Sequence, residues 1–137
     1  MTIYVFDTDH VSLYGRSHPS LIARLNSSQI QLVTTAVNAE EQVRGRLAQV
    51  AAAKNGSQLI AYQLFIETLA LLSDFQILPY SEQSYKIYQS LKTQKIRVGT
   101  QDLKIASIAM SYSAILLTRN LQDFEKIPGL IVENWSA

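Results

Sequence analysis

Short apolar runs rich in β-branched and aromatic residues alternate along this chain with longer stretches whose apolar positions recur every three or four residues. The first kind of run reads as buried strand, the second as helix. Five strands are predicted: Ile3-Tyr4-Val5-Phe6, stopped by Asp7; Gln29 to Thr34, carrying Ile30, Leu32 and Val33; Gln76-Ile77-Leu78, ended by Pro79; Ala114 to Thr118; and Leu130-Ile131-Val132, after Pro128-Gly129. Between them the period turns helical. Asn38 is read as an N-cap, with Glu40 and Glu41 in the first turn, where negative charge suits the helix dipole. Ala36, Ala39, Val43, Leu47 and Val50 then form one apolar stripe. Lys54-Asn55-Gly56-Ser57 is a turn, followed by a helix through Leu59, Tyr62, Phe65, Ile66 and Leu69. Ser81 is placed to cap a helix bearing Tyr85, Tyr88 and Leu91, and Thr100 to cap another bearing Leu103, Ile105, Ala106, Ile108 and Ala109. Strands separated by helices imply an α/β fold layered around a mostly parallel sheet of about five strands. With 137 residues and neither repeat nor low-complexity linker, one domain over residues 1–137 is expected.

Composition narrows the chemistry. The chain has no cysteine, so disulfides, thiolate nucleophiles and Cys-based zinc sites are excluded. Its 47% hydrophobic and 17% charged residues are ordinary for a globular protein. No run approaches the roughly 18 apolar residues of a membrane span, and the N-terminus lacks a basic leader, so no membrane association and a cytoplasmic location are expected. A net charge of +1 does not by itself announce a nucleic-acid ligand, which must then be argued from local features.

Parallel sheets bind ligands beyond the carboxyl ends of their strands. After the first strand come Asp7, Thr8 and Asp9; after the second, Thr34, Thr35 and the helix start with Glu40 and Glu41; after the fourth, Thr118, Arg119, Asn120 and Asp123. Asp102 opens the helix before that fourth strand. Acids gathered at one edge either share protons or bind cations. Mg²⁺ is suited to a few carboxylates plus waters and substrate phosphate, and supports phosphodiester hydrolysis without a Ser, Cys or His nucleophile. Each acid also has a plainer role. Asp7 could cap the next helix, Glu41 and Asp102 are acids in first turns, and Asp123 could be a turn residue. Glu41 lies about 160° around the helix from Val43, off the apolar stripe, while Glu40 lies about 60° away and sits four residues before Arg44, a spacing for a local ion pair.

The same residues carry a resemblance. Tyr4-Val5-Phe6-Asp7-Thr8-Asp9, Thr34 to Gly45, Val98-Gly99-Thr100-Gln101-Asp102-Leu103-Lys104-Ile105-Ala106 and Leu117-Thr118-Arg119-Asn120-Leu121-Gln122-Asp123-Phe124, followed by Ile127-Pro128-Gly129-Leu130 and Glu133-Asn134-Trp135, resemble in order the motifs of PIN-domain ribonucleases of the VapC toxin type. The resemblance spans the chain apart from a poorly marked middle around residues 50–80. It implies a three-layer α/β/α sandwich and a Mg²⁺- or Mn²⁺-dependent endoribonuclease. Asp7, Glu41 and Asp102 would form its metal-binding and catalytic core; a Glu four residues before Gly45 selects Glu41 over Glu40. The fourth position falls to Asn120 or Asp123: Asn120 stands where some members carry Asp, and Asp123 precedes the Phe. Asp9 stands where the family usually has Asn. Thr118 is a candidate for orienting a water. The resemblance also implies a homodimer and a VapB-type antitoxin as partner.

Around these motifs, Arg44, Lys95, Arg97 and Arg119 are candidate contacts to RNA phosphates, with Lys92, Lys104 and Arg46 nearby. His10 and His18 have no carboxylate spacing that suggests acid–base catalysis. Tyr80, Tyr85 and Tyr88 suit core packing or a dimer face better than base stacking, and Trp135 suits closure of the core. Three other readings stay open: a PIN-fold nuclease of RNA maturation, a non-catalytic PIN-fold binding module with Asn120 as its sign, and a receiver-like Mg²⁺ pocket. The last is disfavoured because no Lys follows Thr118 at the strand end.

Overall fold

The structure is a computed structural model and describes residues 1–137. Five short strands alternate with seven helices: β1 (Tyr4–Phe6), α1 (Thr8–Gly15), α2 (Pro19–Ser28), β2 (Val33–Thr35), α3 (Ala36–Ala52), α4 (Ser57–Ser73), β3 (Gln76–Leu78), α5 (Glu82–Thr93), α6 (Thr100–Ser111), β4 (Ile115–Leu117), α7 (Leu121–Phe124) and β5 (Ile131–Glu133). Every strand pair is parallel, as the α/β alternation predicts. The ladder is nevertheless in two pieces, β1-β4-β5 and β2-β3. β1 packs beside β2, but the Phe6 carbonyl takes its hydrogen bonds from side chains, Thr34 Oγ1 at 2.7 Å and Asn38 Nδ2 at 3.2 Å. The five strands therefore run side by side as β3-β2-β1-β4-β5, with a side-chain seam between β2 and β1.

Strand alternation builds the two faces. Val5 and Leu116 point into a cluster with Leu91, Leu103, Ile105 and Ile108 of α5 and α6. Phe6 and Leu117, one residue on, point the other way, toward Val11, Leu13, Leu21, Phe75 and Trp135. Helices cover both faces, giving the three-layer α/β/α sandwich. The chain winds from β1 outward through β2 to β3, then returns to place β4 on the other side of β1. The carboxyl ends of β1 and β4 lie at this reversal, where such sheets open a crevice.

Helix starts differ in detail from expectation. Thr35, not Asn38, caps α3, its Oγ1 accepting the Asn38 N–H at 3.1 Å. Asn38 lies inside the helix, fully buried. Gly99, not Thr100, is the N-cap of α6. Ser81 caps α5 as expected, in a reciprocal box with Ser84. The α3 stripe is not a core stripe along its length, since no residue from Arg44 to Ile60 is buried. In α4, the apolar positions Leu59 and Ile66 that marked the helix are 79% and 57% exposed, and Tyr62 and Leu69 are exposed too. Here α3 and α4 pack on each other, with Arg46 Nε donating to Thr68 Oγ1 at 2.9 Å, and no further layer covers their outer side. No helix is long and apolar enough to cross a membrane.

Candidate functional site

Asp7 leaves β1 and caps α1. Its Oδ1 accepts the Thr8 N–H at 2.9 Å, and its Oδ2 accepts the Thr118 hydroxyl at 2.9 Å. The cap is therefore real, and it is compatible with a ligand role, because it places the carboxylate at the strand's carboxyl end. Thr118, at the end of β4, is fully buried and spends its proton on Asp7 while accepting the Asn120 N–H at 3.0 Å.

Asp7, Glu41 and Asp102 line one cavity of about 410 Å³, together with Thr8, Asp9, Gln42 and Ile105. Three elements supply them: the β1 end, the second turn of α3 and the first turn of α6. Their electrostatics follow from this convergence. Burial pushes the Asp7 carboxyl up to about 6, and the nearby charges of Asp9 and Asp102 push the same way, against the Thr8 and Thr118 bonds. Burial and then the charge of Asp102 raise Glu41, with Arg44 partly opposing. Burial and then Asp123 raise Asp102. No hydrogen bond stabilises the charge of either Glu41 or Asp102, so these acceptors stand free toward the cavity.

A divalent cation fits this donor set. A cation would offset the burial penalty on all three charged carboxylates and the repulsion that Asp102 exerts on Asp7 and Glu41. No three acidic groups stand close enough to clasp one bare ion, so the spacing suits a hydrated one, and Mg²⁺ retains several waters.

The remaining expected residues divide. Asn120 and Asp123 do not line the cavity. They bond to each other, Asn120 Nδ2 donating to Asp123 Oδ2 at 3.2 Å, and Asp123 also pairs with Lys126 at 3.4 Å. Asp123 still acts on Asp102 through its charge. Arg44 is held by Glu40 through bonds of 2.7 and 3.0 Å, the local ion pair that the spacing suggested. Lys95 and Arg97 are exposed and apart from the cavity lining. Arg119 also exposes its side chain; it is its backbone N–H that joins the site, donating to Asp9 Oδ2 at 2.9 Å.

Sequence reasoning missed the side chains that hold this edge together. Asn38 accepts the Thr8 hydroxyl at 3.0 Å and donates to the Phe6 carbonyl, locking α3 to the end of β1. His10 bonds Asp9 at 2.6 Å. A polar residue on the inner face of α3 was the available signal for Asn38. For His10 it was an Asp immediately before it.

Comparison with known proteins identifies the family and the fold. The PIN domain family model matches residues 4–130. The chain is 29% identical to ribonuclease VapC1 of Haemophilus influenzae strain R2866, with 98% of each chain covered. It is 28% identical to the tRNA(fMet)-specific endonuclease VapC of Salmonella typhimurium, over 98% of this chain and 99% of that one. Among solved structures, that of VapBC2 from Rickettsia felis bound to a fragment of promoter DNA superposes with a TM-score of 0.78 at 26% identity, covering 98% of this chain and 99% of its counterpart.

Proposed function

Since the chain belongs to the PIN-domain family, we propose that it is an endoribonuclease, the toxin of a VapBC-type toxin–antitoxin pair, acting on RNA in the cytoplasm as one domain over residues 1–137. The observation that carries this reading is the convergence of Asp7, Glu41 and Asp102 on one cavity at the sheet reversal. Full-length similarity to named VapC ribonucleases supports the choice of RNA as substrate.

Asp7, Glu41 and Asp102 would hold Mg²⁺ or Mn²⁺, directly or through water. When bound, the ion polarises the phosphodiester and makes water a competent nucleophile at neutral pH. Asp7 is oriented by Thr8 and Thr118, which fix both of its oxygens before any ligand arrives. Glu41 and Asp102 approach from the other walls with lone pairs uncommitted. Thr118 positions Asp7 with its only proton, so it orients the carboxylate in place of a water. Asn120 and Asp123 support this edge from outside the cavity, Asp123 by its charge on Asp102.

Structures of VapB–VapC assemblies among the neighbours support an antitoxin partner. The exposed apolar side of α4, with Leu59, Ile60, Tyr62 and Ile66, supports a protein-covered surface here, by antitoxin or by a second copy in a homodimer.

The test is RNA cleavage by purified wild-type protein and Asp7→Asn, Glu41→Gln and Asp102→Asn variants, with EDTA and then with added Mg²⁺ or Mn²⁺. Cleavage by wild type that requires the ion, and at least a hundredfold loss in each variant, is expected. Undiminished cleavage by the folded Asp7→Asn protein overturns the reading.

A further inference from the structure

His10 is fully buried, yet the chemistry above makes no use of it. A buried imidazole needs partners for both nitrogens, and the two it has lie far apart in sequence. Its Nε2 accepts the backbone N–H of Trp135 at 3.1 Å. A backbone amide only donates, so the ring proton sits on Nδ1. That proton is donated to Asp9 Oδ1 at 2.6 Å. The other Asp9 oxygen accepts the Arg119 N–H at 2.9 Å and lies 3.4 Å from Thr118 Oγ1. An unbroken path thus runs from the C-terminal segment through His10 and Asp9 to the loop that follows β4.

That loop begins with Thr118, whose hydroxyl fixes the inner oxygen of Asp7. An ionised carboxylate is the side chain this place requires. Two donors meet it on opposite oxygens, and an amide of the same size offers only one acceptor. This accounts for Asp rather than Asn at position 9 in a chain that otherwise follows the Asp-Thr-Asn pattern.

We propose that His10 is a positioning residue for the metal site: by orienting Asp9 it anchors the Arg119 amide, and with it Thr118, so that Asp7 is presented to the cation at a fixed angle. Asp9 is in this account a clamp on the loop and not a ligand. The inference rests on the metal-site reading of Asp7, Glu41 and Asp102.

Two substitutions at one position separate the two bonds. In His10→Asn the side-chain amide falls where Nδ1 was and keeps the donor to Asp9, losing the Trp135 bond. In His10→Gln the side-chain amide falls where Nε2 was and keeps an acceptor for Trp135, losing the Asp9 bond. Both delete one hydrogen bond, so a merely structural role affects them alike. Mn²⁺ affinity is read by electron paramagnetic resonance of free Mn²⁺, beside amide exchange at Arg119 and thermal melts. His10→Gln is expected to weaken Mn²⁺ binding by about tenfold or more, as loss of an outer partner does, and to unprotect the Arg119 amide. His10→Asn is expected to restore both toward wild type. Equal Mn²⁺ affinity in the two variants overturns the proposal. If His10→Gln does not fold, Asp9→Asn takes its place, and wild-type Mn²⁺ affinity there is equally fatal. Asp7→Asn runs alongside: retained affinity in it overturns the metal-site reading itself, whereas loss in it with none in His10→Gln overturns only the role of His10.

Discussion

Asp7→Asn should stabilise the ion-free protein at neutral pH while abolishing its chemistry. The Asp7 carboxyl is 8% exposed, and its surroundings carry it from an ordinary 3.8 to about 6. That displacement corresponds to a penalty of about 3 kcal/mol on the charged form relative to the unfolded chain. An amide carries no charge to desolvate. It keeps one of the two acceptor contacts, to Thr8 or to Thr118, and forfeits the other at about 1 kcal/mol. The net gain is about 2 kcal/mol, or about 5–8 °C in Tm for a chain of this length. The pH dependence has a definite sign. A carboxyl raised in the folded state gives stability that is fully present below 3.8 and lost as pH rises through about 6. Wild type should therefore lead the variant by about 1 kcal/mol below pH 4, where only the lost contact counts, and fall behind it between pH 4 and 6. Added Mg²⁺ should reverse the order at pH 7.5 by stabilising wild type alone. Melts followed by circular dichroism in EDTA, from pH 4 to 8, measure this directly. A variant that melts below wild type in EDTA at pH 7.5 would refute the claim that buried charge dominates this site.

The adjacent acids of α3 should part company: Glu41→Gln should cripple cleavage, whereas Glu40→Gln should leave the rate unchanged and shift Tm by less than about 2 °C, because Glu40 serves only an exposed pair with Arg44. Gly45 sits inside α3 with open space where a Cβ would stand, so Gly45→Ala should raise stability by about 0.5–1 kcal/mol in a denaturant titration. Trp135 is 2% exposed, packed on Tyr4 at 4.8 Å and under the Arg24 guanidinium at 4.3 Å. Trp135→Ala should cost about 3–5 kcal/mol in the same titration.

The acids of the site were legible because each follows a strand or opens a helix, and a parallel sheet delivers such positions to one edge. Asp7, Glu41 and Asp102 meet for that reason, and Glu41 could be told from Glu40 by its angle around the helix. What stayed hidden depended on partners remote in sequence. Asn38 looked like a cap, yet Thr35 begins the helix and Asn38 serves β1 instead. The apolar stripes of α3 and α4 marked an interface but not whether this chain or another covers it. α1 and α2 left no clear periodic trace between the first two strands. The first is an eight-residue helix capped by Asp7, too short to show a repeat, and the second begins at Pro19 and ends on Gln29 in a left-handed conformation.

The seam between β1 and β2 bears on how the site meets its ion. Asp7 belongs to the strip of sheet on one side, and Glu41 rides on α3, which springs from the strip on the other. No backbone rung ties the two strips: Thr34 and Asn38 reach to the Phe6 carbonyl, and Asn38 also accepts the Thr8 hydroxyl. A shift of Glu41 relative to Asp7 around an arriving charge therefore disturbs these three side-chain bonds and leaves every strand ladder whole.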